Sequence, residues 1–145
     1  YRAVLSEYDR SDIAIMCAAV ADYAPETVSD VKLKRTGEDR ILRLRPNPDI
    51  AAELGRRKRP GQCLVGFALE TNDEEMNARL KMEKKNLDFI VLNSLRDAGA
   101  GFQCDTNKVT VIGKQGDPVE IPCKPKIEVA ADIVDIIGRY VSEDR

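Results

Sequence analysis

The chain has no histidine among its 145 residues, and it has few aromatics: three phenylalanines and four tyrosines. Without histidine, no Ser-His, Cys-His or His general-base scheme is available within it. Its four cysteines, Cys17, Cys63, Cys104 and Cys123, are widely spaced and form no CxxC pair. Zinc sites draw on closely spaced Cys or His ligands, so a structural zinc site is excluded and no metal ligand set is expected. No apolar run approaches the roughly 20 residues that span a bilayer, and no stretch reads as a signal peptide. A GxGxxG fingerprint is also missing. What remains for chemistry is lysine, aspartate, asparagine, backbone amides or a bound metal.

A hydrophobic fraction of 43% and a charged fraction of 33% mark an ordinary soluble domain, one unit long enough for a real core. The net charge of −2 argues against nucleic acid as a partner. The charge is uneven, however: Lys32 to Arg59 is rich in Lys and Arg, which suits a small anionic ligand. Cys17 and Cys63 lie in apolar runs and read as reduced core residues, so a cytoplasmic location is expected.

Periodicity predicts the tail of an amphipathic helix over 1–8, with Val4, Leu5 and Tyr8 on one face. Buried strands are expected at 13–17, 63–69 and 89–92. Helices are expected from Asn47 to Arg57, from an Asn72/Glu75 capping box to Lys85, and from Pro125 to Val141. The last helix should face the core with Ala130, Ile133, Val134, Ile137, Tyr140 and Val141. Alternating runs at 31–35 and 41–45 predict a basic hairpin, and 108–112 with 119–121 a second one. Strand–helix alternation implies an α/β fold, a mostly parallel sheet with helices on both faces and added β-hairpins.

An open parallel sheet binds ligands at the carboxyl ends of its strands. Met16-Cys17-Ala18-Ala19 followed by Asp22 is a strand ending in small residues and then an acid, which suits close backbone approach or simply tight packing. Asn47-Pro48-Asp49-Ile50 offers free N–H groups to a polar ligand, or is only a good cap. Phe67 either stacks on a planar base or packs in the core. Lys81 and Lys85, at i and i+4, either neutralise a phosphate or complement a helix carboxyl terminus. Asn93 closes the third strand at the same edge, and Lys32 lies in a basic hairpin that is otherwise solvated.

In their order along the chain, six segments resemble phosphopantothenoylcysteine synthetase, in bacteria the carboxyl-terminal half of a bifunctional coenzyme A biosynthesis flavoprotein. They are Ala18-Ala19-Val20-Ala21-Asp22-Tyr23; Lys32 with Lys34 and Arg35; Asn47-Pro48-Asp49-Ile50; and Gly66-Phe67-Ala68-Leu69-Glu70-Thr71. Lys81 with Lys84-Lys85-Asn86-Leu87-Asp88, and Gly101-Phe102 with Asp105 and Asn107, complete the series. The resemblance implies a Rossmann-like homodimer that joins 4′-phosphopantothenate to L-cysteine, using CTP or ATP with Mg²⁺. The carboxylate attacks the α-phosphate to give an acyl-nucleotidyl intermediate and pyrophosphate, and the cysteine amine then displaces the nucleotide.

It also implies roles. The backbone of Met16, Cys17, Ala18 and Ala19 and the side chain of Asp22 contact nucleotide or intermediate. Lys32 is the catalytic lysine on a flap. Pro48, Asp49, Ile50, Ala51 and Phe67 line the base and ribose pocket beside Asn47, Lys81 and Lys85 face phosphates, and Asn93 contacts the nucleotide. The family's Gly-rich opening unit and its Asn-x-Ser-Ser-Gly turn do not occur here. Residues 1–145 are therefore expected to be the carboxyl-terminal major part of a synthetase domain, with the flavin-binding decarboxylase part elsewhere and no flavin here. CTP is favoured over ATP. Two other readings compete: a non-catalytic module for dimerisation and nucleotide binding, and an unrelated NAD(P)-binding Rossmann domain.

Overall fold

A computed structural model describes residues 1–70, 72–94 and 105–143. The expectations placed on Thr71, Gly101, Phe102 and Cys104 lie outside the described residues. The elements are α1 (Arg2–Tyr8), β1 (Ile13–Met16), β2 (Tyr23–Pro25), β3 (Leu44–Pro46), α2 (Ile50–Arg57), β4 (Cys63–Glu70), α3 (Glu74–Lys84), β5 (Phe89–Ser94), β6 (Thr106–Gly113), β7 (Val119–Pro125) and α4 (Lys126–Glu143). They divide into two compact units, one holding residues 1–17 and everything from Ile50 onward, the other residues 18–49.

The larger unit is built on a five-stranded sheet of order β1-β4-β5-β6-β7. β1, β4 and β5 run parallel, and the hairpin β6–β7 adds antiparallel to β5. Near-continuous apolar runs such as Cys63-Leu64-Val65 and Ile90-Val91-Leu92 belong to strands covered on both faces. One face packs Leu64, Ile90, Leu92 and Ile112 against Tyr8 of α1, Leu54 of α2 and Ala78 and Met82 of α3. The other packs Val65, Val91, Val109 and Val111 against Val129, Ile133 and Ile137 of α4. The expected α/β sheet with helices on both faces is therefore observed.

Close packing explains two glycines. A Cβ on Gly55 would lie 1.9 Å from the Lys85 carbonyl oxygen, and one on Gly66 would lie 2.6 Å from a Leu87 methyl. α3 ends in a Schellman arrangement: Leu87 N–H donates to Met82 O at 2.9 Å and Asn86 N–H to Glu83 O at 3.1 Å. Asn86 takes the left-handed conformation this needs, at φ 49°, and the chain is thereby turned so that Leu87 and Asp88 enter the interior.

Several local expectations are corrected. The expected 31–35/41–45 hairpin is absent; in the smaller unit the ladder joins Tyr23-Ala24-Pro25 to Leu44-Arg45-Pro46 instead. No residue between 18 and 49 is buried, so the alternating run has no apolar face to cover, and an uncovered ribbon is not held by its own hydrogen bonds. The amino-terminal cap of α3 is Asp73, without a side-chain cap bond, rather than Asn72. Glu75 pairs with Arg79 instead of closing a capping box. β7 runs through Pro125, so α4 starts at Lys126. The core stripe of α4 is correspondingly Val129, Ile133, Ile136, Ile137, Tyr140 and Val141, while Ala130 and Val134 are exposed. The first strand, expected to be buried, is an edge strand with Ile13 and Ile15 exposed; Cys17 is exposed because β1 stops at Met16, and among the described cysteines Cys63 alone is buried. Among the described residues no helix is long and apolar enough to cross a membrane.

Candidate active site

The parallel strands bring part of the expected set to one edge. Met16 closes β1 beside Gly66, and Cys17 follows it. Phe67 lies opposite Val91 and Leu69 opposite Asn93, so Phe67, Leu69 and Asn93 share a sheet face by the two-residue period. Phe67 is 41% exposed, which rules out the core-packing alternative and leaves its ring available for stacking. Asn93 is half-buried, and its Oδ1 is buried without a hydrogen-bond partner. An orphaned acceptor of this kind is costly unless a donor completes it.

On the helical side of the edge, Lys81 Nζ lies 2.5 Å from Glu70 Oε1, with the Glu70 side chain only 13% exposed. Lys81 is therefore held at the end of β4 by a carboxylate that was not among the expected site residues. Its signal in the sequence is position alone, as the acid that closes the apolar strand. Lys85 follows Lys81 by one turn as the C-cap of α3, its N–H donating to Lys81 O at 3.0 Å. Asn107, quoted in the resemblance without a role, belongs to the same edge. It lies on the face of β6 shared with Val109, diagonal to Asn93, and its Oδ1 is also buried and unpartnered.

In the smaller unit, Asn47 acts differently from a cap. Its Nδ2 donates to Ala21 O at 2.8 Å and its backbone N–H to Asp22 O at 2.7 Å. Asn47 thus clamps the turn carrying Asp22, within a unit where both belong. Ala18, Ala19, Lys32, Pro48 and Asp49 are exposed in the same unit, whereas Ile50 and Ala51 open α2 in the larger one. Lys32 lies in no strand, and in place of the hairpin expected around it stands the short β2–β3 ladder.

The opposite edge of the sheet is occupied by a charge clamp. Asp88 Oδ1 accepts from Lys58 Nζ at 2.7 Å and from Lys114 Nζ at 3.0 Å, while its Oδ2 accepts the Leu64 N–H at 2.8 Å. Burial by itself would push the Asp88 carboxyl up, but the bonds from Lys58, the Leu64 amide and Lys114 outweigh it and hold it below the usual carboxylate range. Burial also lowers Lys58 and raises the neighbouring Cys63 thiol to about 11, with the Asp88 charge adding to the latter. Cys63 is accordingly a protonated, inert thiol at neutral pH.

The family model for the DNA/pantothenate metabolism flavoprotein C-terminal domain matches residues 1–140. A cysteine/cysteine sulfinic acid decarboxylase from an unknown prokaryotic organism is 53% identical over 132 residues, which are 91% of this chain and 37% of that protein. The coenzyme A biosynthesis bifunctional protein CoaBC of Bacillus subtilis is 49% identical over 136 residues, 94% of this chain and 33% of that one. The crystal structure of the C-terminal domain of a CoaBC protein matches with a TM-score of 0.77 at 34% identity, covering 98% of this chain and 61% of that chain. This chain thus spans about a third of the length of the curated relatives it matches.

Proposed function

This chain belongs to the family of DNA/pantothenate metabolism flavoprotein C-terminal domains, and from that premise we propose that it serves coenzyme A biosynthesis as a phosphopantothenate–cysteine ligase. The observation that carries this reading is its likeness, over nearly its whole length, to the C-terminal domain of CoaBC in both sequence and fold. The reaction joins 4′-phosphopantothenate to L-cysteine at the expense of a nucleoside triphosphate, with CTP favoured over ATP. The pantothenate carboxylate attacks the α-phosphate and pyrophosphate leaves. The cysteine amine then attacks the acyl carbon, the amide forms, and the nucleoside monophosphate departs with the bonding pair.

No step requires histidine. Lys32 neutralises charge at the reacting phosphoryl, Lys81 and Lys85 serve the phosphates, Phe67 stacks on the base, and Asn93 supplies an acceptor to it. Met16, Cys17, Ala18 and Ala19 offer backbone, while Asp22 offers a carboxylate held in place by Asn47. Pro48, Asp49, Ile50 and Ala51 line the ribose side. Glu70, beside Lys81, would be the carboxylate to hold Mg²⁺ bound with the nucleotide phosphates, where the ion would supply charge neutralisation. The reaction runs in the cytoplasm, in a homodimer.

The test is a ligation assay on the natural protein that carries this sequence, with phosphopantothenate, cysteine, Mg²⁺ and either CTP or ATP. The expected result is pyrophosphate release that depends on all three substrates, with phosphopantothenoylcysteine formed in equal amount. Lys32→Ala is expected to spare nucleotide binding and slow ligation by about 10²–10³-fold, the scale of losing one charge-stabilising group. Carbon dioxide release from cysteine without nucleotide, or NADH binding without CTP or ATP binding, would overturn the reading in favour of a decarboxylase or a dinucleotide-binding domain.

A further inference from the structure

The starting ends of β4 and β5 carry more positive charge than their carboxylate can balance. Lys58, Arg59, Gln62, Asp88 and Lys114 line a cavity of about 210 Å³. Three cations face one anion there, since the Arg59 Nη2 is spent on the Asp9 carbonyl rather than on a carboxylate. The Lys58 side chain is only 9% exposed. An ammonium has three N–H donors. Lys58 uses one on Asp88 and one on Asn86 O at 2.7 Å. Lys114 likewise uses one on Asp88 and one on Asn86 Oδ1 at 3.0 Å. One donor of each therefore remains for the cavity, flanked by the rest of the Arg59 guanidinium.

We propose that this cavity is a binding site for a phosphate-class oxyanion, either free inorganic phosphate or the phosphate of a small ester. Two charge-assisted N⁺–H···O⁻ bonds and a neighbouring guanidinium are the recognition that such an anion requires. The space equals about seven water volumes of roughly 30 Å³ each, and it falls below the ~300 Å³ at which pockets for larger organic ligands begin. It therefore suits an inorganic anion or the head of an ester and excludes a nucleotide. The site is separate from the carboxyl edge: Glu70 is seven residues on from Cys63 along β4, about 23 Å at ~3.3 Å per residue. An anion here would bridge the end of α2 to the turn after β6 through Lys58 and Lys114. It supplies the charge that burial of Lys58 against a second ammonium lacks, and burial together with Lys114 holds the Lys58 ammonium below its ordinary value.

The experiment titrates the protein at constant ionic strength with inorganic phosphate, and separately with glycerol phosphate, following the amide resonances of Leu64 and Asp88 and the thermal midpoint. The expected result is saturable binding that Lys114→Gln weakens at least tenfold and Arg79→Gln, in an exposed ion pair of α3, leaves unchanged. Equal affinity for the two probes identifies the free anion as the occupant, and tighter binding of the ester identifies an ester. Lys114 is 41% exposed and its removal leaves the Lys58–Asp88 pair intact; should the variant nonetheless unfold, Arg59→Gln makes the same test. Absence of saturable shifts at Leu64 and Asp88, or shifts indifferent to both substitutions, overturns the proposal, and neither result bears on ligation at the carboxyl edge.

Discussion

The two ends of the same parallel strands are finished in opposite ways. At the starting end, the polar atoms of Asp88 are closed by Lys58, Lys114 and the Leu64 amide, and the Cys63 thiol is buried among them. At the carboxyl end, Phe67 and Leu69 stay exposed, Asn93 Oδ1 is left without a partner and Cys17 faces solvent. Stability is concentrated in the satisfied Asp88 carboxylate, and binding capacity in what is left over at each end: spare lysine donors at the one, an unpartnered acceptor at the other. Exposed apolar side chains beside an orphaned acceptor mark this edge as the candidate binding surface.

The contrast can be broken most forcefully at Asp88. Asp88→Ala leaves two lysines without their shared carboxylate and the Leu64 amide without its acceptor, and is expected to destabilise by about 3–5 kcal/mol; urea unfolding measures it, and a loss below about 1 kcal/mol would show that the clamp is ornamental. The same carboxyl fixes an acid limb. Its folded value lies below the unfolded one, so its contribution is complete above roughly pH 4 and is lost as pH falls toward the folded value. Asp88→Asn should flatten that limb.

The thiols report the same difference chemically. At pH 8 a thiol titrating near 11 is ionised to about one part in a thousand. Cys63 should therefore react with a thiol reagent only on unfolding, whereas exposed Cys17 reacts in the native state. Mass mapping of the modified peptides decides it, and native labelling of Cys63 would contradict the burial described here. Because the folded thiol value is raised, its stabilisation is present below the unfolded value of about 8.5 and is lost as pH rises toward 11.

Smaller effects are expected at the carboxyl edge. Lys81→Gln should raise the apparent nucleotide constant about tenfold, equivalent to ~1.4 kcal/mol, with little change in maximal rate; the reverse pattern would remove Lys81 from phosphate binding. Phe67→Ala should cost less than about 1 kcal/mol of stability, since the ring is 41% exposed, against about 3 kcal/mol for Leu64→Ala in the core. Equal losses at the two positions would mean that Phe67 is structural after all.

Legibility in the sequence followed burial. β4, β5 and α2 were readable within a residue or two, because long apolar runs and helical spacing report directly on which side chains leave water. The β2–β3 ladder was not, because alternation at 31–35 and 41–45 looks the same whether or not a face exists to receive it. Among site residues, Phe67 and Asn93 were legible as strand-end positions. The roles of Glu70 and Asn107 were not, since Glu70 pairs with Lys81 eleven residues on, and Asn107 nears Asn93 only through the β5–β6 register. Asn47 was read as a cap, but its side chain is spent across the chain on the Ala21 carbonyl.

By themselves, the amino acids determined the α/β class, the succession of strands and helices, the lack of histidine within these 145 residues and the order of motifs that marks the family. These are properties of local pattern and composition, which survive without knowledge of distant contacts. Only the tertiary structure decided which charges neutralise one another. Lys58, Asp88 and Lys114 are separated along the chain and carry no shared signal. Strand register and the Asn86 turn bring them within hydrogen-bond distance, in a low-dielectric interior where that distance sets their energy.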